Sequence, residues 1–179
     1  VKQMKKFLMI TLLIAVGVSF AFASSLKVPW FVDSALPATG NPPTVKVLGL
    51  ITLASNDPGP DPIVCEIKYY NEAGEEVGYD TSRSDSNTFT IDPLSSLAFR
   101  PVQLDPSSAG GQEGPQGSAV PDRNTADGKF NGSCTIRWVG GPGLVQGMVV
   151  YVKTSGNTNG QQEIVSYAHL LPAGVGSGE

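Results

Sequence analysis

His169 is the only histidine in the 179-residue chain, so a Ser-His-Asp triad or a histidine-based metal site would have to use it. No G-x-S-x-G or H-E-x-x-H pattern stands beside it, and it shares a strand face with Val165, Tyr167 and Leu171, the setting of a packed strand residue. Paired carboxylates suit glycosidase chemistry, and Glu66, Glu72, Glu75, Glu76 and Glu163 are available, but nothing singles out a pair. The run Asp122-Arg-Asn124-Thr-Ala-Asp127-Gly128 resembles a calcium loop, in which oxygen ligands alternate before a glycine. Its glycine is seventh where the EF-hand loop needs it sixth, and Ala126 takes the fifth place. A polar turn is therefore the better reading, with Asp122, Asn124 and Asp127 only weak candidates for calcium, and no other cofactor is implied.

Cys65 and Cys134 are the only two cysteines, 69 positions apart. Redox-active pairs need close spacing such as C-x-x-C, which these lack. An even count in an exported chain instead predicts one intramolecular disulfide, stabilising the fold by up to about 4 kcal/mol through closure of a long loop. With the usual nucleophile, metal and cofactor constellations missing, the sequence reads as non-enzymatic.

Export is read from the start of the chain. Lys2, Lys5 and Lys6 precede an apolar run from Phe7 to Phe20, and Ala21-Phe22-Ala23 supplies the small-x-small pattern of a signal peptidase site. The run is short for a membrane span, so residues 1–23 are expected to be a cleaved signal peptide, with no lipid anchor and no membrane insertion. Val1 in place of methionine reads as a GTG start codon, a prokaryotic trait. The remainder carries nine basic against sixteen acidic residues, a net charge of −7, which argues against nucleic acid as a partner. The expected location is extracellular or at the cell surface, with the periplasm as the alternative.

The elements that would position these residues are strands. No capped segment of helical period occurs after residue 23, whereas short apolar and β-branched runs recur between Gly, Pro, Asn and Asp. Leu26 to Val32 alternates with Leu26, Val28, Trp30 and Val32 on one face, and Pro29 assigns it to an edge. Val45 to Ala54 is apolar on both faces. Ile63 to Tyr70 places Ile63, Cys65, Ile67 and Tyr69 on a core face, Asn71 to Gly74 turns, and Glu75 to Thr81 is expected to return as its partner. Asn87 to Ile91, Leu97 to Val102, Ser133 to Val139 (with Cys134, Ile136 and Trp138 inward), Leu144 to Thr154 and Glu163 to Leu171 complete the set. Residues 103–128 are polar and rich in Gly, Pro and Ser, and read as a long surface loop.

The expected fold is thus all-β: a single Ig-like or jelly-roll-type β-sandwich of about eight or nine strands with one disulfide. Its parts are the signal peptide 1–23, an extended segment and linker 24–44, the sandwich 45–172 and a tail 173–179. The pattern Val28-Pro-Trp-Phe-Val-Asp33, Tyr70-Asn-Glu-Ala-Gly74, Phe99-Arg-Pro101, Gly132-Ser-Cys-Thr-Ile-Arg-Trp138 and Leu170-Leu-Pro172 spans nearly the whole mature chain. It resembles a loose class of uncharacterised bacterial secreted proteins with Ig-like sandwiches. That resemblance implies fold and export and nothing chemical.

Two functions fit this reading. The first is an extracellular structural, surface or matrix protein that assembles into fibres by strand addition, with Leu26, Val28, Trp30 and Val32 pairing on a neighbour's sheet edge. In that case Trp30 would enter an apolar groove; otherwise the same segment is an edge strand of its own domain. The second is a binding module for carbohydrate or another surface polymer, using exposed aromatics or the loop 103–128.

Overall fold

The computed structural model describes residues 24–33, 46–102, 114–117, 119–154 and 162–170, without the side chains of 46–48, 114–115, 152–154 and 162–170. The expected signal peptide, residues 34–45, residues 103–113 of the long loop and the tail lie outside the described residues.

Eight strands are described: β1 (Ser24–Val32), β2 (Lys46–Ser55), β3 (Ile63–Tyr70), β4 (Thr88–Ile91), β5 (Ser96–Phe99), β6 (Asn131–Trp138), β7 (Val145–Thr154) and β8 (Gln162–Leu170). One helical turn, α1 (Gly114–Gly117), follows β5, and a 3-10 turn at Pro142–Leu144 leads into β7. The strands form two four-stranded sheets, ordered β1-β6-β3-β4 and β5-β2-β7-β8, and every pairing is antiparallel.

Period-two alternation turns one face of each strand inward. In β3 the residues Ile63, Cys65, Ile67 and Tyr69 are buried, and in β6 Cys134, Ile136 and Trp138 are, as their alternation requires. These meet Ile51, Leu53, Leu97, Phe99, Val145 and Val149 of the other sheet in one apolar cluster. Phe89 of β4 and Phe99 of β5 join the two layers with ring centroids 6.4 Å apart.

The expected disulfide is overturned. Both cysteines face the core, but they lie in adjacent strands of one sheet, where Cys65 stands opposite Trp138 and Cys134 opposite Tyr69. Four register steps separate them, about 14 Å at the strand rise, whereas a disulfide needs Cα atoms within about 7 Å. Both are buried free thiols, and burial pushes the Cys65 thiol up to about 12 and raises Cys134 as well.

The expected return strand at Glu75 to Thr81 is also corrected. The turn forms, with Gly74 at φ +80° and its amide donating to Asn71 O at 3.0 Å. Beyond it the described residues form only two isolated bridges, Tyr70 to Glu76 and Tyr79 to Arg123. The lateral partners of β3 are instead β4 and β6, so the segment leaves the sheet edge after Val77.

Residues 120–123 of the long loop are packed into the fold, while Thr125 to Gly128 are exposed. Val120 joins the core cluster, and Pro121, Asp122 and Arg123 are buried. Tyr69 Oη donates to Pro121 O at 2.8 Å, the Asp80 amide to Asp122 O at 2.8 Å, and the Arg123 amide to Pro101 O at 2.6 Å.

Candidate functional site

Among the described residues, the predicted polar side chains are each engaged with local partners. Asp122 accepts from Arg83 Nη1 at 2.8 Å, Asp127 from Arg123 Nη2 at 2.6 Å, and Asn124 Oδ1 from the Ala126 amide at 2.8 Å. Guanidinium groups thus lie against the carboxylates that a calcium ion would need, and among the described residues no group of three or more His, Cys, Asp or Glu lies together. Glu66 accepts from Asn87, Glu72 pairs with Lys129, Glu75 accepts from Asn71 and Glu76 pairs with Lys68. His169 stands opposite Met148 in the β7–β8 register, and the side chains of His169 and Glu163 lie outside the described residues.

The feature the structure does assemble is a slot filled by β1. Among the described residues this strand is the edge of its sheet and pairs with β6 alone, yet Leu26, Val28 and Phe31 are fully buried. Burial of three such side chains stabilises the fold by roughly 5–9 kcal/mol before the cost of ordering the strand. The predicted face is corrected here. Val28 lies opposite Cys134 and Phe31 opposite Gly132, so Pro29 and Trp30 together face a single residue, a bulge that reverses the alternation. Phe31 and Asp33 therefore continue the inward face, while Trp30 is 41% exposed and Val32 half-buried. Pro29 has no amide hydrogen to give the ladder, which is why the bulge falls there.

Two glycines of the facing sheet make room for β1. A Cβ on Gly49 of β2 would lie 2.5 Å from Val32 O, and one on Gly147 of β7 would lie 2.9 Å from Leu26 Cδ1. Glycine inside a strand weakens it, and at both positions the compensation is the close approach of another element. Phe31 packs edge-on against Tyr69 with centroids 6.0 Å apart at 80°.

Polar contacts fasten β1 along its length. Ser24 Oγ donates to Gly140 O at 2.8 Å at one end, and Tyr151 Oη donates to Trp30 O at 2.9 Å across the sheets. At the other end Asp33, fully buried, accepts from Arg100 Nε at 3.0 Å and Nη2 at 2.8 Å through one oxygen, and from the Val102 amide at 3.1 Å through the other. The Asp33 amide donates to Phe130 O at 2.8 Å. A second buried guanidinium, Arg123, is gripped by Asp127 and by the carbonyls of Asn124 and Lys129.

Asp33, Arg100, Gly49 and Gly147 were not reached by reading the sequence for chemistry. A signal existed for two of them: Arg100 is the one charge within the apolar run Leu97 to Val102, and Asp33 directly ends Val28 to Val32. Isolated charges in apolar runs are either exposed or paired. No family model, curated protein or solved structure matches this chain.

Proposed function

We propose that this protein works outside the cytoplasm as a non-enzymatic structural protein of the cell surface or matrix. Its Ig-like or jelly-roll-type sandwich joins to further copies by strand addition, β1 of one copy filling the slot of the next. The observation that carries this reading is the slot itself. It accepts Leu26, Val28 and Phe31 under two glycines, pairs β1 among the described residues through β6 only, and would be an open apolar groove without that strand. With cleavage after Ala23, β1 would be the first segment of the exported chain, joined to β2 only through residues 34–45.

Electron microscopy and light scattering of the chain from Ser24 onward test it. Filaments that vanish on deletion of residues 24–33 are expected. A monomer at every concentration overturns the reading.

A second reading, a polymer-binding module, is favoured by one feature. An open groove of about 420 Å³ lies on the outer face of the β1-containing sheet, lined by Val64, Glu66, Lys68, Thr88, Arg137 and Val139. Val64 and Val139 are exposed apolar side chains flanked by charge, a surface that suits a polar chain with an apolar face. Retention of monomer on a glycan resin, lost in Arg137→Ala, would support this reading over assembly.

A further inference from the structure

We propose, resting on the strand-addition reading, that the buried Asp33–Arg100 pair forms between copies, Asp33 of the entering strand meeting Arg100 of the receiving domain, and that this contact fixes the register of the joint.

Apolar packing alone does not specify that register. Leu26 and Val28 alternate with period two, so a slip of two residues would still point apolar side chains into the slot. The connection through residues 34–45 is long enough to allow such a slip, so the register of an entering strand needs a local device. Two are present at the same end of β1: the bulge at Pro29 and Trp30, and Asp33 one residue past the strand.

Asp33 is fully buried and Arg100 is 7% exposed. A buried ion pair contributes little net stability over an apolar pair, but separating its members leaves a charge buried without its counter-charge. A slipped strand would take Asp33 away from both Arg100 and the Val102 amide, so the pair penalises every wrong register while adding little to the right one. The receiving partners Arg100 and Val102 lie directly after β5, in the sheet opposite β1, so the contact ties the entering strand to both layers of the receiving domain.

The occupant is thus a second copy of this chain, entering with residues 24–33. That its own β1 fits the slot is the ground for naming it. From Asp33 to Lys46 the chain has thirteen residue steps, which extended reach about 40 Å, ample for a neighbouring domain.

Mixing single-charge variants separates a pair within one chain from a pair between chains. Asp33→Arg places two guanidinium groups together and Arg100→Asp two carboxylates, whichever way the strand is placed, so each variant alone should lose filament assembly at least tenfold. Refolded together, they should recover filaments in strict alternation, because each strand then enters a domain bearing the opposite charge. If the mixture assembles no better than either variant, the pair lies within one chain and the inference fails, while the broader reading stands as long as the parent still makes filaments that depend on residues 24–33. If the parent never assembles, the broader reading fails first.

Should either charge variant not fold, Val28→Cys decides. Position 28 directly opposes Cys134, so glutathione redox buffer present during refolding and assembly, while both thiols are still open to solvent, would join the two sulfurs as oxidised glutathione is reduced to the thiol. A ladder of disulfide-linked chains from oxidised filaments puts β1, and with it Asp33 five residues along, in the neighbouring copy. A purely intrachain disulfide in those filaments overturns the inference.

Discussion

The carbonyl oxygen of Val32 in β1 lies 2.5 Å from where a Cβ on Gly49 of β2 would stand, so the end of the edge strand rests directly on the backbone of the opposite sheet. Gly49→Ala must push a backbone atom aside. Gly147→Ala meets only the methyl ends of Leu26 and Leu53, at 2.9 and 3.1 Å, which can rotate. Alanine also restricts the unfolded chain, favouring the fold by up to about 1 kcal/mol. Gly49→Ala is therefore expected to destabilise by about 3 kcal/mol or more and Gly147→Ala by no more than about 1 kcal/mol, measured by urea unfolding. Equal effects would mean that β1 is not seated as described.

The bulge makes a second comparison sharp. Phe31→Ala opens a cavity against Tyr69 and should cost about 3–5 kcal/mol. Trp30→Asp, one residue earlier, changes a side chain that is 41% exposed and should stay within about 1 kcal/mol. A reversed order in thermal or chemical melts would show that the alternation continues through Pro29 unbroken.

Free, buried thiols predict a clear chemical behaviour. With Cys65 pushed up to about 12 and Cys134 raised too, both by burial, neither forms appreciable thiolate at pH 8. Iodoacetamide should leave the native chain untouched and label both cysteines after unfolding in guanidinium. Labelling of native protein, or a mass two protons lighter than the reduced chain, would contradict the structure.

Acid should loosen the loop before β6. The hydrogen bonds from Arg123 are the main reason the Asp127 carboxyl is held at about 2, below the usual 3.8. A depressed carboxylate stabilises the fold fully above the unfolded value, so this contribution is intact above about pH 4 and fades as pH falls through 2. The Asp80 carboxyl is lowered as well, chiefly by hydrogen bonds from Ser82, and acts in the same direction. Asp127→Asn should lower the melting temperature at pH 7 and show a smaller further loss between pH 4 and pH 2 than the parent. An unchanged acid dependence in this variant would assign the effect to other carboxylates.

The sequence by itself determined most of the strand segments and which way most of them face, though not Glu75 to Thr81, whose alternation ends in two isolated bridges. Ile63 to Tyr70 and Ser133 to Val139 alternate strictly, and alternation is a local property that burial of one face enforces. Register is not local. That Cys65 meets Trp138, and not Cys134, depends on how β3 and β6 slide against each other, so two cysteines with the same facing end about 14 Å apart. The bulge at Pro29 and Trp30 exists only relative to β6, and it alone moves Trp30 outward and Phe31 inward. Gly49 and Gly147 acquire meaning only because β1 passes over them. Asp33 and Arg100, 67 positions apart, become partners only when the two sheets close on each other, since a buried charge is tolerated solely where the fold delivers its counter-charge.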